Sequence, residues 1–283
     1  MTARGRLNLI LVVIVVGLAA FIALAPENDT PAELDRLSSE DSRGVSHVRL
    51  HLGTGTTIEL RRSQDGWRLV EPIQAAANAF RVDTLLTVLG APVYTRIDAP
   101  REALSRYGLE PPRARLELDD VEILFGDTEP IHGRRYLLYN GGVALVDDAY
   151  FSHLASSAAN YVDPVLLGAH VNPVRIELPG RSLHRDGDTW RQETTGSASG
   201  GEDIEKVVAA WRGAQATAVR PYESSLDWRD TIRIELAEGD LTFDLARTEY
   251  EVILGRRDLG VQYHLTKAAG ARLLGETGKK DAS

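Results

Sequence analysis

His47 and His51 lie four residues apart, a spacing at which two imidazoles on a helix can share a metal ion. Here they fall in 46–52 (SHVRLHL), which alternates polar and apolar residues as a half-buried strand does. A strand puts both rings on one face but roughly 13 Å apart, too far to share one ion. Asp119-Asp120 and Asp147-Asp148 are carboxylate pairs of the kind that glycosidases and calcium sites use. Both fall where hairpin turns or strand ends are expected, and aspartate is a common turn residue. The segment 196–201 (GSASGG) sets serines among glycines, but a nucleophile elbow needs serine at its centre, where Ala198 stands. It reads as a flexible loop. The segment 275–280 (GETGKK) has the residue types of a phosphate loop at the wrong spacing, and reads as a disordered basic tail. The chain has no cysteine, which excludes disulfides, thiolate metal sites, lipid-modified cysteines and cysteine nucleophiles. The sequence thus assigns no catalytic residue, no metal ligand and no cofactor.

The elements that hold these residues form one module written twice. Segments 46–52 and 172–178 (NPVRIEL) are matching strands. A second strand follows each, at 57–62 and 181–185, then a turn and a tryptophan strand around Trp67 and Trp190. An amphipathic helix follows in both copies. Val82, Leu85, Leu86 and Leu89 recur at i, i+3, i+4, i+7, and so do Ile204, Val207, Val208 and Trp211. Gly90 and Gly213 read as helix-stopping residues. Later, 114–118 (ARLEL) matches 232–236 (IRIEL), and each heads a hairpin. From Val48 to Val174 the offset is 126, from Trp67 to Trp190 it is 123, from Val82 to Ile204 it is 122, and from Leu116 to Ile234 it is 118. A drift this small and in constant order needs only short loop deletions. The expected fold is α+β: two similar lobes of mainly antiparallel sheet, each with an amphipathic helix, sharing one sheet or packed face to face.

Location is read from Leu9–Ala25, an apolar run without a charge. With Leu7 and Asn8 it reaches nineteen residues, or about 28 Å as a helix, close to the thickness of a bilayer core. Arg4 and Arg6 precede it, and Glu27, Asp29, Glu33, Asp35, Glu40 and Asp41 follow it against one base, Arg36. That asymmetry keeps the short end cytoplasmic and places the remainder outside. The rival is a cleaved signal peptide ending at Ala23-Leu24-Ala25. The run is longer than a signal core of about 7–15 residues, and Pro26 would disfavour cleavage. The reading is therefore a single-pass anchor, Leu7 to Ala25, in a bacterial inner membrane, with the bulk of the chain periplasmic. Residues 27–41 contribute −5 of the net charge of −9. The remaining −4 gives no sign of nucleic-acid binding or attraction to anionic lipid.

The motifs also carry a family resemblance. The segment 67–72 (WRLVEP) resembles the W-x-L-x-x-P element of the family catalogued as domain of unknown function 4340, and 107–112 (YGLEPP) resembles its Y-G-L-x-x-P element. Leu124-Phe125-Gly126 followed by Tyr136-Leu137-Leu138 resembles its glycine-then-tyrosine strand pair. The second copy departs from this pattern: no proline lies five residues after Trp190, and no Tyr-Gly-Leu recurs. The resemblance implies a membrane-tethered extracytoplasmic protein, of a kind that in some cases accompanies ABC-type export or gliding-motility components. It implies no activity and no site residue. Structural roles suffice for Trp67, Pro72 and Tyr107-Gly108-Leu109: core packing, a strand end and a tight turn.

The expected organisation is a cytoplasmic tip and anchor over 1–26, an acidic solvated stalk over 27–44 with room for one short helix, a first lobe over 45–168, a second over 169–275, and a tail over 276–283. The expected role is a non-catalytic scaffold or accessory subunit of an envelope or ABC-type transport assembly, with a membrane-protein partner. Two alternatives stay open. One is a glycan- or lipid-binding module with Tyr136, Tyr139, Tyr150 and Phe151 lining a groove. The other is a hydrolase whose residues converge only in the fold.

Overall fold

The computed structural model describes residues 34–154, 157–168, 171–194 and 204–276. The apolar run Leu9–Ala25, the loop 196–201 and the tail beyond Glu276 lie outside them. No helix among the described residues is long and apolar enough to cross a membrane.

The first lobe contains β1 (His47–Leu52), β2 (Thr57–Ser63), β3 (Gly66–Glu71), β4 (Ala75–Ala76), α1 (Ala79–Leu86), β5 (Thr95–Ile97), β6 (Ala114–Leu118), β7 (Val121–Thr128), β8 (Arg135–Tyr139), β9 (Gly142–Val146) and the single turn α2 (Ala149–Ser152). The second contains β10 (Pro173–Leu178), β11 (Arg181–Asp186), β12 (Thr189–Thr194), α3 (Ile204–Gly213), β13 (Ala218–Pro221), β14 (Asp230–Leu236), β15 (Gly239–Arg247), β16 (Glu251–Arg256), β17 (Val261–Thr266) and α4 (Lys267–Leu274). The fold is α+β, and the lobes do not share a sheet.

The strand orders are β4-β3-β2-β1-β6-β7-β8-β9-β5 and β12-β11-β10-β14-β15-β16-β17-β13. Matched element by element, the second is the first without β4. Register agrees with the offsets in sequence. Leu50 faces Ile58 on one side and Leu116 on the other, as Ile176 faces Leu183 and Ile234. Trp67 stands opposite Arg62 and Trp190 opposite Arg185. Arg49 lies across from Glu117, and Arg175 from Glu235, at the same place in each lobe. The helix pattern also holds, with Val82, Leu85 and Leu86 buried in α1 and Ile204, Val207, Val208 and Trp211 in α3.

Three local expectations need correction. Val174, the partner of Val48 by offset, is 39% exposed. A bulge between Pro173 and Arg175 turns Pro173 inward in its place. Gly90 and Gly213 do end their helical segments, but not in the left-handed conformation of a glycine cap, since neither has a positive φ. α1 instead tightens into the 3-10 turn Thr87–Gly90, which keeps Val88 and Leu89 buried. The third concerns the stalk. Residues 35–38 of it belong to the lobe: Leu37 is only 2% exposed. Residues 35–38 run beside 89–93, with Ser38 N donating to Leu89 O (2.9 Å), Leu37 N to Ala91 O (2.8 Å) and Val93 N to Asp35 O (2.7 Å). A leucine side chain gains more from a core site than from water.

One continuous apolar cluster takes in the inner faces of both sheets together with α1, α3 and α4. The connector 158–168 joins the lobes as a strip bonded on both sides. Asn78 N donates to Tyr161 O (2.8 Å) and Asp163 N to Ala76 O (2.9 Å) on the first lobe; Leu166 N donates to Ala214 O (3.1 Å) and Ala216 N to Pro164 O (2.9 Å) on the second. Tyr161 and Leu167 are fully buried there. The lobes are thus packed as one body around this strip.

Candidate interaction surface

His47 and His51 do share one face of β1, and each meets a different acid. His47 Nε2 lies 2.9 Å from Glu59 Oε1. His51 bonds Thr57 through Nδ1 (3.0 Å) and has Nε2 3.7 Å from Glu117. Glu59 also receives Arg61 (2.7 Å) and Arg49 (3.1 Å), and its side chain is only 6% exposed. Burial alone would raise its pKa. The bonds from Arg61, Arg49 and His47 together outweigh that and hold the carboxyl at about 2. Glu59 is the ionised hub of a charged sheet face. Among the described residues, no group of three or more His, Asp or Glu is arranged to hold a metal.

The aspartate pairs are turn residues. Asp119 has a φ of 48°, and its carboxylate accepts from Ser46 N (3.1 Å), Ser46 Oγ (2.9 Å) and His47 N (2.9 Å), anchoring the start of β1. Asp147 accepts from Ala149 N (2.8 Å), and Asp148 from Arg135 Nε (2.5 Å).

The motif residues converge. The 3-10 turn Arg101–Tyr107 is closed by Gly108 at φ 65°, and Leu109 N returns to Leu104 O (3.1 Å). This turn lies against Gly126: a Cβ there would sit 2.2 Å from Tyr107 O and 3.0 Å from Leu109 Cγ. Only glycine permits that approach. The Tyr107 and Tyr136 rings meet at 4.8 Å. Beneath them, Leu104, Leu109, Leu124 and Val143 form a small apolar cluster on the face of the first sheet that points away from the main core. Arg135 pins the arrangement, donating to Gly126 O (2.5 Å) and resting 3.8 Å over Phe151. Trp67 is buried with Arg62 5.0 Å above its ring. The motif positions thus have packing roles.

The four aromatics do not line one groove. Tyr136 belongs to the outward cluster. The Tyr139 hydroxyl bonds Ser38 Oγ (2.9 Å) and its ring packs on the main core. Tyr150 stands edge-on to His153 (5.7 Å), and Phe151 lies 6.0 Å from Phe125. The set is split between the two faces of the sheet.

Sequence reasoning missed what fills the equivalent outward face of the second lobe. There the covering segment stacks Tyr222 on Trp228 (5.0 Å, 13°) over Gly255, where a Cβ would come within 2.6 Å of Tyr222. Tyr222 donates to Asp244 (2.7 Å), which also receives Arg257 (3.0 Å). Burial, and then this bond, raise the Tyr222 pKa. Beside it runs a buried polar chain. Glu223 N donates to Gln262 Oε1 (2.9 Å), so Gln262 Nε2 is the donor toward His264 Nε2 (3.1 Å). His264 therefore carries its proton on Nδ1, facing Glu251 (2.8 Å). Every member has a partner, and the chain fastens the covering segment to the sheet.

Clefts on the described surface are of modest size. One of about 490 Å³ is lined by Arg101, Asp120, Glu122, Leu138 and Asn140. Another of about 380 Å³ is lined by Asp240, Asp244, Arg257 and Asp258. Large apolar residues lie bare at equivalent hairpin tips: Ile131 between β7 and β8, 81% exposed, and Tyr250 between β15 and β16, 74% exposed.

The family described as Domain of unknown function (DUF4340) matches residues 67–230, more than half of the chain. No curated protein and no solved structure matches it.

Proposed function

The chain belongs to the family described as domain of unknown function 4340, and from that premise we propose that it is a membrane-anchored, extracytoplasmic scaffold or accessory subunit of an envelope or ABC-type transport assembly. The observation that carries this reading is the uncharged run Leu9–Ala25 with arginines before it and acids after it. It is long enough to span a bilayer core and oriented by its flanks to hold both lobes outside the cytoplasm. A subunit that must stay beside a membrane partner needs such a tether, whereas a freely diffusing enzyme does not. Two structural facts support a binding rather than a chemical role. The titratable clusters described above are satisfied by neighbours within the fold, and the motif residues pack on one another. The six-residue strand β12 ends its sheet, because the described residues hold no counterpart of β4 beside it. Among the described residues β12 is thus an edge strand, the kind of element that strand addition uses.

Recovery of the full chain from membranes in mild detergent tests the proposal. It predicts co-purification of a specific integral membrane protein. A monomer that remains partnerless while binding a small ligand tightly would refute it.

A further inference from the structure

The segment 35–38 shows where the tether leaves the fold. It runs antiparallel to 89–93, with Arg36 bridged to Pro92. Ser38 is its inner end, bonded to Tyr139 at the β8–β9 turn. Its outer end, Leu34–Asp35, lies beside Val93 and Tyr94. Tyr94 N donates to Leu145 O (2.9 Å), and Leu145–Val146 is where β9 meets the start of β8 at Arg135. The chain therefore leaves the first lobe at the end of the sheet that carries the β7–β8 hairpin. That hairpin is closed by Glu129 N donating to Arg134 O (2.7 Å), and Arg134 rests 3.6 Å over the Tyr94 ring. Its tip presents Ile131, at 81% the most exposed large apolar side chain among the described residues.

We infer that this end of the first lobe, with Ile131 as its insert and Tyr94–Arg134 as its rim, rests on the lipid bilayer surface. The inference rests on the anchor proposed above. Nine residues, 26–34, separate the apolar run from Asp35. Fully extended they reach about 30 Å, so the exit point is held within that distance of the membrane and the hairpin beside it meets lipid at high effective concentration. A bare isoleucine suits the acyl boundary, and an aromatic ring under a guanidinium suits the headgroup layer, where each has an apolar body and a polar tip. Charge is not the attraction: Arg36, Arg96 and Arg134 are matched in number by Asp35, Glu129 and Asp147 at the same end of the sheet. The contact is therefore expected on neutral lipid.

The absence of cysteine allows single-site labelling of the full chain. His132→Cys places an environment-sensitive dye beside Ile131. Asp120→Cys places one in the β6–β7 turn, at the opposite end of the sheet. In phosphatidylcholine vesicles washed with alkali, the dye at 132 is expected to shift to the blue and lose roughly half its emission to nitroxide-labelled lipid, as a group entering the acyl boundary does. The dye at 120 is expected to do neither, and Ile131→Asp combined with His132→Cys is expected to abolish the shift while leaving the melting temperature unchanged. If the vesicles retain the protein and 132 behaves like 120, the contact is refuted and the anchor stands. If the alkaline wash strips the protein from the vesicles, the anchor falls and the contact with it. Burial of 132 in cell membranes but not in pure lipid would assign the surface to a protein partner and overturn the inference.

Discussion

Glu59→Gln tests whether the charged face of the first sheet is held by one ionised hub. The carboxylate is nearly inaccessible and takes bonds from Arg61, Arg49 and His47. Its pKa falls from 4.5 to about 2, because those bonds outweigh the burial that opposes them. A depression of that size corresponds to roughly 3 kcal/mol of folding free energy. Arg49 and Arg61 are 36% and 62% exposed, and water replaces part of what they lose, so the expected cost at neutral pH is about 2 kcal/mol. For a fold of this size that lowers the melting point by about 4–8 °C. The sign follows from the direction of the shift. A depressed carboxyl contributes its full stability above its unfolded pKa and loses it as pH falls toward the folded value. The gap between wild type and variant should therefore be constant above pH ~4.5 and close between there and about pH 2. Thermal melts of both proteins across that range measure it. A variant that melts with wild type at pH 7, or a gap that persists unchanged in acid, would refute the hub.

Gly126→Ala drives a Cβ into the Tyr107 carbonyl at 2.2 Å, so it should cost about 1–3 kcal/mol in denaturant unfolding and change near-ultraviolet dichroism at the Tyr107–Tyr136 pair; an unchanged midpoint would show that the turn does not lie on Gly126. Leu37→Ala should cost about 2–4 kcal/mol, and a neutral result would return residues 35–38 to the stalk. Gln262→Leu leaves Glu223 N and His264 Nε2 without partners. It should cost about 1–3 kcal/mol and raise proteolysis within 222–229, whereas cleavage at the wild-type rate would mean that the polar chain does not fasten that segment.

What the sequence made legible was what alternation and helical spacing encode. β1, β6, β10 and β14 each expose one face, so Arg49 and Glu117 alternate visibly with Val48 and Leu116. The helices α1 and α3 show their buried stripes directly. The duplication could be read because register preserves offsets across a sheet. The strands that complete each sheet were not legible. β5 and β13 are three and four residues long, too short for a period. β16 and β17 are buried along most of their length, so their alternation carries no contrast. Gln262 and His264 look like surface residues in sequence, yet the Tyr222–Trp228 segment covers them. Leu37 could not be placed because nothing local distinguishes a docked leucine from an exposed one. His47, His51, Asp119, Asp147 and Asp148 were read as structural, and the hydrogen bonds of each hold a strand or a turn. The outward aromatic pair of the second lobe had no signal, because Tyr222 and Trp228 meet only through the turn between them.

The duplicated architecture gives the proposed role a physical form. Each lobe turns a charged sheet face outward around β1 or β10, and each raises a bare apolar side chain at the same hairpin. In the proposed role, the exit at Leu34–Asp35 sets which end of the first lobe lies nearest the membrane, and the strip 158–168 carries that placement to the second. In that role the charged faces around β1 and β10 are the surfaces proposed to meet a neighbour in the envelope.

Site-specific photocrosslinking in living cells, from exposed positions spread across 60–240, tests the central proposal most directly. The account predicts crosslinks to one integral membrane protein, clustered on a contiguous surface, with the chain itself retained in the membrane after alkaline extraction. Crosslinks scattered over many abundant proteins, or a chain recovered in the soluble periplasmic fraction, would contradict it.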